Sequence, residues 1–197
     1  MALTILITGF GPFPGAPFNP TGPLVTRLAR LRRPGLARVK VVPHIFPTSY
    51  AAVDRDLPRL IAKHKPDALL MFGLATRARW SRIETRARNA LSPLADVDGT
   101  VRGANAIAPG HPANFALPTP SQRLLAAART ARVPAVISRD AGDYLCNYLC
   151  WRAVEASRRP GGPHVAAFIH VPESANVANM LPASRAFLKV IAVACHV

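Results

Sequence analysis

Two short, unbroken apolar runs, each closed by a glycine, limit what this chain can fold into more than anything else in it. Leu3-Thr-Ile-Leu-Ile-Thr8 runs into Gly9, and Ala68-Leu-Leu-Met-Phe72 runs into Gly73. A strand with one face in water alternates apolar and polar side chains. A strand without alternation has both faces covered, as in a parallel sheet sandwiched between helices. Val39 to Phe46, Ala135 to Ser138 and Val165 to Val171 read as further strands. Helical spacing fills the gaps: Leu24 to Leu31, broken at Pro34-Gly35; Tyr50 to His64, despite Pro58; Ser121 to Arg132, with Ser121 as N-cap; and Asp143 to Ser157. Pro182 to Cys195 closes the chain as a helix with proline at its start. Ser92 to Pro120 is rich in Gly, Pro, Ala and Asn and reads as loops with short strands. Strands alternating with helices predict a doubly wound α/β fold with a mostly parallel sheet. Sites in such folds lie beyond strand carboxyl ends, which selects the segments after Thr8, Phe72, Ser138 and Ile169.

Composition narrows the function classes. The chain has 197 residues, 50% hydrophobic and 18% charged, a globular balance read as one domain over residues 1–197. A chain of this size buries roughly 70% of its unfolded surface and needs no disulfide or metal staple. No apolar run reaches the ~18–20 residues of a membrane span; Ala186 to Val197 is the nearest, interrupted by Lys189. The N-terminus lacks the basic region and cleavage site of a signal peptide. Three cysteines, Cys146, Cys150 and Cys195, point to reduced thiols and a cytoplasmic protein. The formal charge of +15 raises a nucleic-acid partner. Yet the 21 arginines are scattered, and the two basic stretches, Arg27 to Arg38 and Arg77 to Arg88, fit solvated faces. Nucleic-acid binding is therefore the lesser reading.

Three residues carry the chemistry. Cys146 lies just after a strand, near the start of the next helix, where the helix dipole favours a thiolate. The same position also suits a small buried apolar residue. Cys150 is one turn further on and belongs in the core. His170 ends the apolar strand Val165 to Ile169, the place for a general base acting on Cys146. The other five histidines (His44, His64, His111, His164 and His196) lack that placement. Glu84, among arginines, is either a surface ion-pair partner or the carboxylate that orients the histidine; Glu155 reads as helix surface. The loop Gly9-Phe-Gly-Pro-Phe-Pro-Gly15 lacks phosphate-cradle spacing, and Pro12 and Pro14 remove N–H donors. Phe10 and Phe13 suit a small apolar pocket instead.

Ile5-Leu-Ile-Thr-Gly-Phe-Gly-Pro-Phe13 with Asn19-Pro20-Thr21, then Ser138 with Ala141-Gly142 and Tyr144-Leu-Cys146-Asn147, then Phe168-Ile-His170-Val-Pro172, stand in one order along the chain. Together they resemble the pyroglutamyl peptidase I family of cysteine peptidases. The resemblance implies a single three-layer α/β/α domain with a twisted, mostly parallel sheet and no cofactor or metal. It implies a dimer or tetramer acting on peptides with a blocked N-terminus. It implies Cys146 as nucleophile, His170 as base and Glu84 as orienting acid. Phe10 and Phe13 would wall the pyroglutamate pocket, with Asn19, Thr48, Tyr144 and Leu145 as further contacts.

The chain departs from the family around the acid. Where the family reads close to G-Q-A-G-G-R, this chain reads Gly73-Leu74-Ala75-Thr76-Arg77-Ala78, and Ser92-Pro-Leu-Ala95 replaces a D-A-R-I segment. Leu74 then stands where a side-chain amide is expected to bond the lactam, which predicts weakened pyroglutamate recognition. The alternatives are a family member that is inactive or acts on another substrate, and a basic nucleic-acid-binding domain.

Overall fold

The computed structural model describes residues 2–31, 34–102 and 105–195. Arg32, Arg33 and His196 lie outside them. Strands β1 (Leu3–Phe10), β2 (Val39–Phe46), β3 (Ala68–Ala75), β4 (Ser81–Glu84), β7 (Ala135–Ser138) and β8 (Val165–Pro172) form one sheet in the order β2-β1-β3-β8-β4-β7. β1, β2, β3 and β8 run parallel. β4 is antiparallel to β8 and parallel to β7, so these two run against the rest. β5 (Arg86–Arg88) and β6 (Asn114–Ala116) make a small separate antiparallel pair inside the irregular middle.

Every residue of β1 and of β8 is buried, as the unbroken apolar runs require. Helices α1 (Thr21–Ala29), α3 (Ser121–Thr130) and α5 (Val177–Ala194) cover one face through Leu24, Leu28, Leu124, Phe187 and Ile191. Helices α2 (Tyr50–His64) and α4 (Leu145–Ser157) cover the other through Tyr50, Val53, Leu57, Tyr148 and Trp151.

Several expected boundaries move. α3 begins at Ser121, but Pro120 holds the N-cap position and no side chain caps it. α5 starts five residues before Pro182, because the Asn176 side chain accepts a hydrogen bond from Ala178 N–H and nucleates the first turn there. Pro182 therefore lies inside the helix. At this length α5 is long and apolar enough to cross a membrane by length and composition alone, contrary to the sequence expectation. It packs instead on α1, α3 and β3. Glu155 is half-buried rather than surface, with its carboxylate bonded to Trp151 and Arg152.

The strand order locates the crevice. From β1 the chain goes to β2 on one side and then crosses to β3 on the other, so the order reverses between β1 and β3. Their pairing ends at Thr8 and Met71. Beyond it Gly9 and Phe10 stay with β2, while Phe72 to Ala75 stay with β8. An opening at such a switch point is the expected binding site of a doubly wound sheet.

Candidate active site

β3, β8 and β4 set the floor of the site. Gly73 of β3 lies directly opposite His170 of β8, and His170 lies opposite Arg82 of β4. Gly73 has no freedom to be larger. A Cβ there would come within 2.6 Å of Cys146 Sγ and of the Phe168 ring. The glycine is what lets the start of α4 press its thiol against the sheet.

Cys146 is the second residue of α4. Tyr144 caps the helix in an extended conformation with no side-chain capping hydrogen bond, so among the described residues the N–H groups of the first turn stay free beside the thiol. Asn147 fastens this turn in place. Its Oδ1 accepts from Arg88 N–H at 2.8 Å, and its Nδ2 donates to the Arg88 carbonyl at 2.9 Å and to that of Ala90 at 3.2 Å.

His170 is 5% exposed, and its Nδ1 lies 2.8 Å from Oε1 of the fully buried Glu84. Its ring stands edge-on to Phe168 at 4.9 Å. With Nδ1 engaged by Glu84, Nε2 is the nitrogen left to face the Cys146 thiol. Burial pulls the imidazole pKa down, but the neighbouring Cys146 and then Glu84 outweigh it and push the value up to about 9. The other thiols are held in the neutral form. Burial raises Cys150 well above the usual range, and burial with Asp67 raises Cys195 to about 11. The three residues singled out in the sequence therefore converge.

The pocket residues divide. Phe10 is core, 2% exposed, with its ring centroid 6.0 Å from that of Phe46, while Phe13 is half-buried in a turn closed on Ala16. Asn19 is spent on the loop itself: Nδ2 donates to the Gly11 carbonyl, and Oδ1 accepts from the N–H and hydroxyl of Thr21. Its carbonyl oxygen is thereby engaged within the loop. Thr48 donates to the same Gly11 carbonyl at 3.3 Å. Tyr144 donates its hydroxyl to the Ala95 carbonyl at 2.9 Å, which ties the altered 92–102 segment over the helix start. Leu145 is buried in the core.

Leu74 points away. Leu69 and Met71 belong to the core on the α2–α4 face, with Gly73 beneath Cys146, whereas Leu70 and Phe72 belong to the opposite core. By alternation the Leu74 side chain shares the face of Phe72, not that of the thiol. The expected loss of a lactam hydrogen bond at this side chain is not carried by the geometry.

Arg82 was missed in the sequence, hidden among scattered arginines. It shares a strand face with Glu84, two residues on. Its Nε lies 3.4 Å from Glu84 Oε1, and its guanidinium donates to Ser138 Oγ at 2.7 and 3.2 Å and to the Asp140 carbonyl at 2.8 Å. Among the described residues no cluster of His, Cys, Asp and Glu could hold a metal ion.

Comparison with known proteins identifies the family and the fold. The family model described as pyroglutamyl peptidase matches residues 3–184. The pyrrolidone-carboxylate peptidase of Deinococcus radiodurans is 33% identical over 92% of this chain and 84% of its own length. That of Thermococcus kodakarensis is 31% identical over 87% and 82%. A mutant pyrrolidone carboxyl peptidase from the hyperthermophile Pyrococcus furiosus superimposes with a TM-score of 0.90 at 26% identity, covering 98% of this chain and 99% of that one. The enzyme from Fervidobacterium islandicum superimposes with a TM-score of 0.89, also at 26% identity, covering 97% and 99%.

Proposed function

Because this chain belongs to the pyroglutamyl peptidase family, we propose that it hydrolyses the amide bond after an N-terminal pyroglutamyl residue, with Cys146 as nucleophile, His170 as base and acid, and Glu84 as the carboxylate that orients His170. The observation that carries this reading is the array itself: a thiol at a helix start, seated over the glycine that lies opposite an imidazole whose Nδ1 is held 2.8 Å from a fully buried carboxylate.

The steps follow from that arrangement. His170 Nε2 takes the Cys146 proton, and the sulfur attacks the scissile carbonyl carbon. The carbonyl oxygen becomes an oxyanion facing the unpaired N–H groups at the start of α4. As the C–N bond breaks, the imidazolium gives its proton to the leaving amine, and a thioester remains on Cys146. A water, deprotonated by His170, then attacks the thioester, and free pyroglutamate and the thiol are released. Glu84 stays ionised throughout and fixes the ring so that Nε2 faces the sulfur. The ring of the substrate fits the crevice between β1 and β3, near Phe13 and the backbone edge that β3 leaves unpaired past Met71. The same reading extends to a homo-oligomer, dimer or tetramer, supported by the exposed Phe18, Leu94 and Val101 and measurable by sedimentation.

The test is hydrolysis of a pyroglutamyl amide that releases a fluorophore, by wild type and Cys146→Ala. Turnover by the wild type alone is expected. Equal turnover by both, or none by a wild type whose Cys146 alkylates readily, would reject the reading.

A further inference from the structure

We propose that Arg82 is a positioning residue of this site, joining the acid to the turn that delivers the nucleophile and neutralising Glu84 whenever His170 gives up its proton. The inference rests on the functional reading above for the roles of Cys146, His170 and Glu84. The placement of Arg82 stands independently of that reading.

The geometry is specific. β4 puts Arg82 and Glu84 on the same face, two residues apart, with Arg82 opposite His170 and Glu84 opposite Ser138. The Arg82 guanidinium reaches in two directions. Toward β7 it donates twice to Ser138 Oγ and once to the Asp140 carbonyl. Ser138 Oγ in turn accepts from Asp140 N–H at 3.2 Å, so the turn leading to Cys146 is closed around the atom that Arg82 holds. Toward the site its Nε lies 3.4 Å from Oε1 of Glu84, the oxygen that also engages His170. Arg86 and Arg88 add outer ties to the same turn, at the Arg139 carbonyl and the Asp140 carboxylate.

Charge explains why the cation is needed. Thiolate, imidazolium, carboxylate and guanidinium form a row of alternating sign. When His170 protonates the leaving amine, the imidazolium disappears and Glu84, itself fully buried, is left ionised. A buried carboxylate without a partner is costly. It would draw the proton back toward itself through His170 and oppose its transfer to the amine. Arg82, fixed by three hydrogen bonds and always charged, keeps Glu84 ionised through that step. Its side chain is 35% exposed, so it reaches this position from the rim without being entombed.

Arg82→Met should lower kcat about tenfold with KM within about twofold, the size of one coupled interaction in a shared network. The rate of Cys146 alkylation by iodoacetamide, which needs no peptide substrate, should rise instead, because a Glu84 without its cation holds the imidazolium, and with it the thiolate, more tightly. In a Glu84→Gln background the same substitution should cost less than about twofold, because the carboxylate it serves is gone. Arg82→Gln keeps donors for Ser138 and Asp140 without the charge, and should behave like Arg82→Met. It serves as the deciding variant if Arg82→Met does not fold. Wild-type alkylation rates in the charge-removed variants, or losses that multiply with Glu84→Gln, would overturn the proposal. If wild type fails to cleave pyroglutamyl amides while alkylation still depends on Arg82, the substrate reading falls and the positioning role stands.

Discussion

Helix α4 carries two polar constellations, and they are built on opposite rules. At its far end, Asp54 of α2 accepts from Tyr148 Oη at 2.7 and 2.9 Å, from Arg152 Nε at 3.1 Å and from Arg102 Nη2 at 2.6 Å. Arg152 goes on to Glu155 and to Tyr148 Oη, and Glu155 takes Trp151 Nε1 on its second oxygen. Burial, and then the bond to Asp54, push the Tyr148 pKa up. Every carboxylate oxygen there is paired. At the near end, Glu84 engages His170 through Oε1, while its buried Oε2 has no protein hydrogen bond among the described residues. The first constellation is closed, with nothing left to exchange. The second is an open chain that ends on a thiol. A cavity of about 430 Å³ borders the closed network between α2 and α4 and shares no residue with the Cys146 site. That cavity thus lies beside the closed network, away from the polar row whose end is unspent.

The largest effects should come from cutting the open chain. Cys146→Ala should fold and lose all measurable turnover. His170→Ala should lower kcat by about 10⁴-fold, since base and leaving-group acid are lost together. Thermal melting of Cys146→Ala should stay close to wild type, whereas His170→Ala should melt lower because fully buried Glu84 loses its imidazole partner. A folded His170→Ala enzyme with near-normal kcat would remove the imidazole from the mechanism.

Glu84→Gln should cost about 10²-fold in kcat, because an amide still orients the ring but no longer stabilises the imidazolium. The pH profile sharpens the point. His170 is raised from 6.5 to about 9 in the folded protein, so its protonation stabilises the fold in full below about pH 6.5 and is lost as pH rises through about 9. Activity should fall over that same basic range, where the proton for the leaving amine disappears. Removing the Glu84 charge should move this basic limb to lower pH. An unmoved limb in Glu84→Gln would mean the carboxylate does not tune the imidazole.

The closed network should answer in stability instead. Asp54→Ala leaves Tyr148, Arg102 and Arg152 without their acceptor and should cost about 1–3 kcal/mol, read from denaturant midpoints. Its kcat should stay within about twofold of wild type. A catalytic loss in Asp54→Ala larger than its loss of stability would erase the distinction between the two ends of α4.

How far the sequence reveals this differs between sheet and site. Leu3–Thr8 and Ala68–Phe72 show themselves because a strand buried on both faces has no alternative to continuous apolar residues. β4 was hidden for the converse reason. In Ser81-Arg-Ile-Glu84 only Ile83 is apolar, because the face toward α4 is given over to Arg82 and Glu84. The residues that make the site erase the pattern that would announce the strand. Cys146 and His170 stand out because each follows a legible element. Asn19 is not decided by sequence, since an asparagine that braces a loop and one that reads a ligand look alike; its hydrogen bonds here brace the loop. Pro182 misleads: proline at a helix start is the commoner case, and the Asn176 cap lies six residues earlier.

The smallest effect should be at Leu74, and it separates side-chain from backbone recognition. The substitution seen in the sequence, leucine where the family places an amide, suggests a lost hydrogen bond and a gain of about tenfold for pyroglutamate over proline in Leu74→Gln. Strand alternation argues the reverse. The side chain stands with Phe72 on the face of α1 and α5, 8% exposed, while the thiol stands over Gly73 on the other face. What Leu74 offers the crevice is its backbone, on the edge of β3 that β1 no longer pairs beyond Met71. A backbone N–H and carbonyl are the same for leucine and glutamine. Leu74→Gln should therefore change the ratio of kcat/KM between pyroglutamyl and prolyl amides by less than about threefold, under the worth of one hydrogen bond. Putting a glutamine on a buried apolar face should instead lower stability by about 1–3 kcal/mol. A tenfold gain in discrimination would mean that the side chain reaches round the end of the strand to the ring, and that the pocket lies on both faces of the sheet edge.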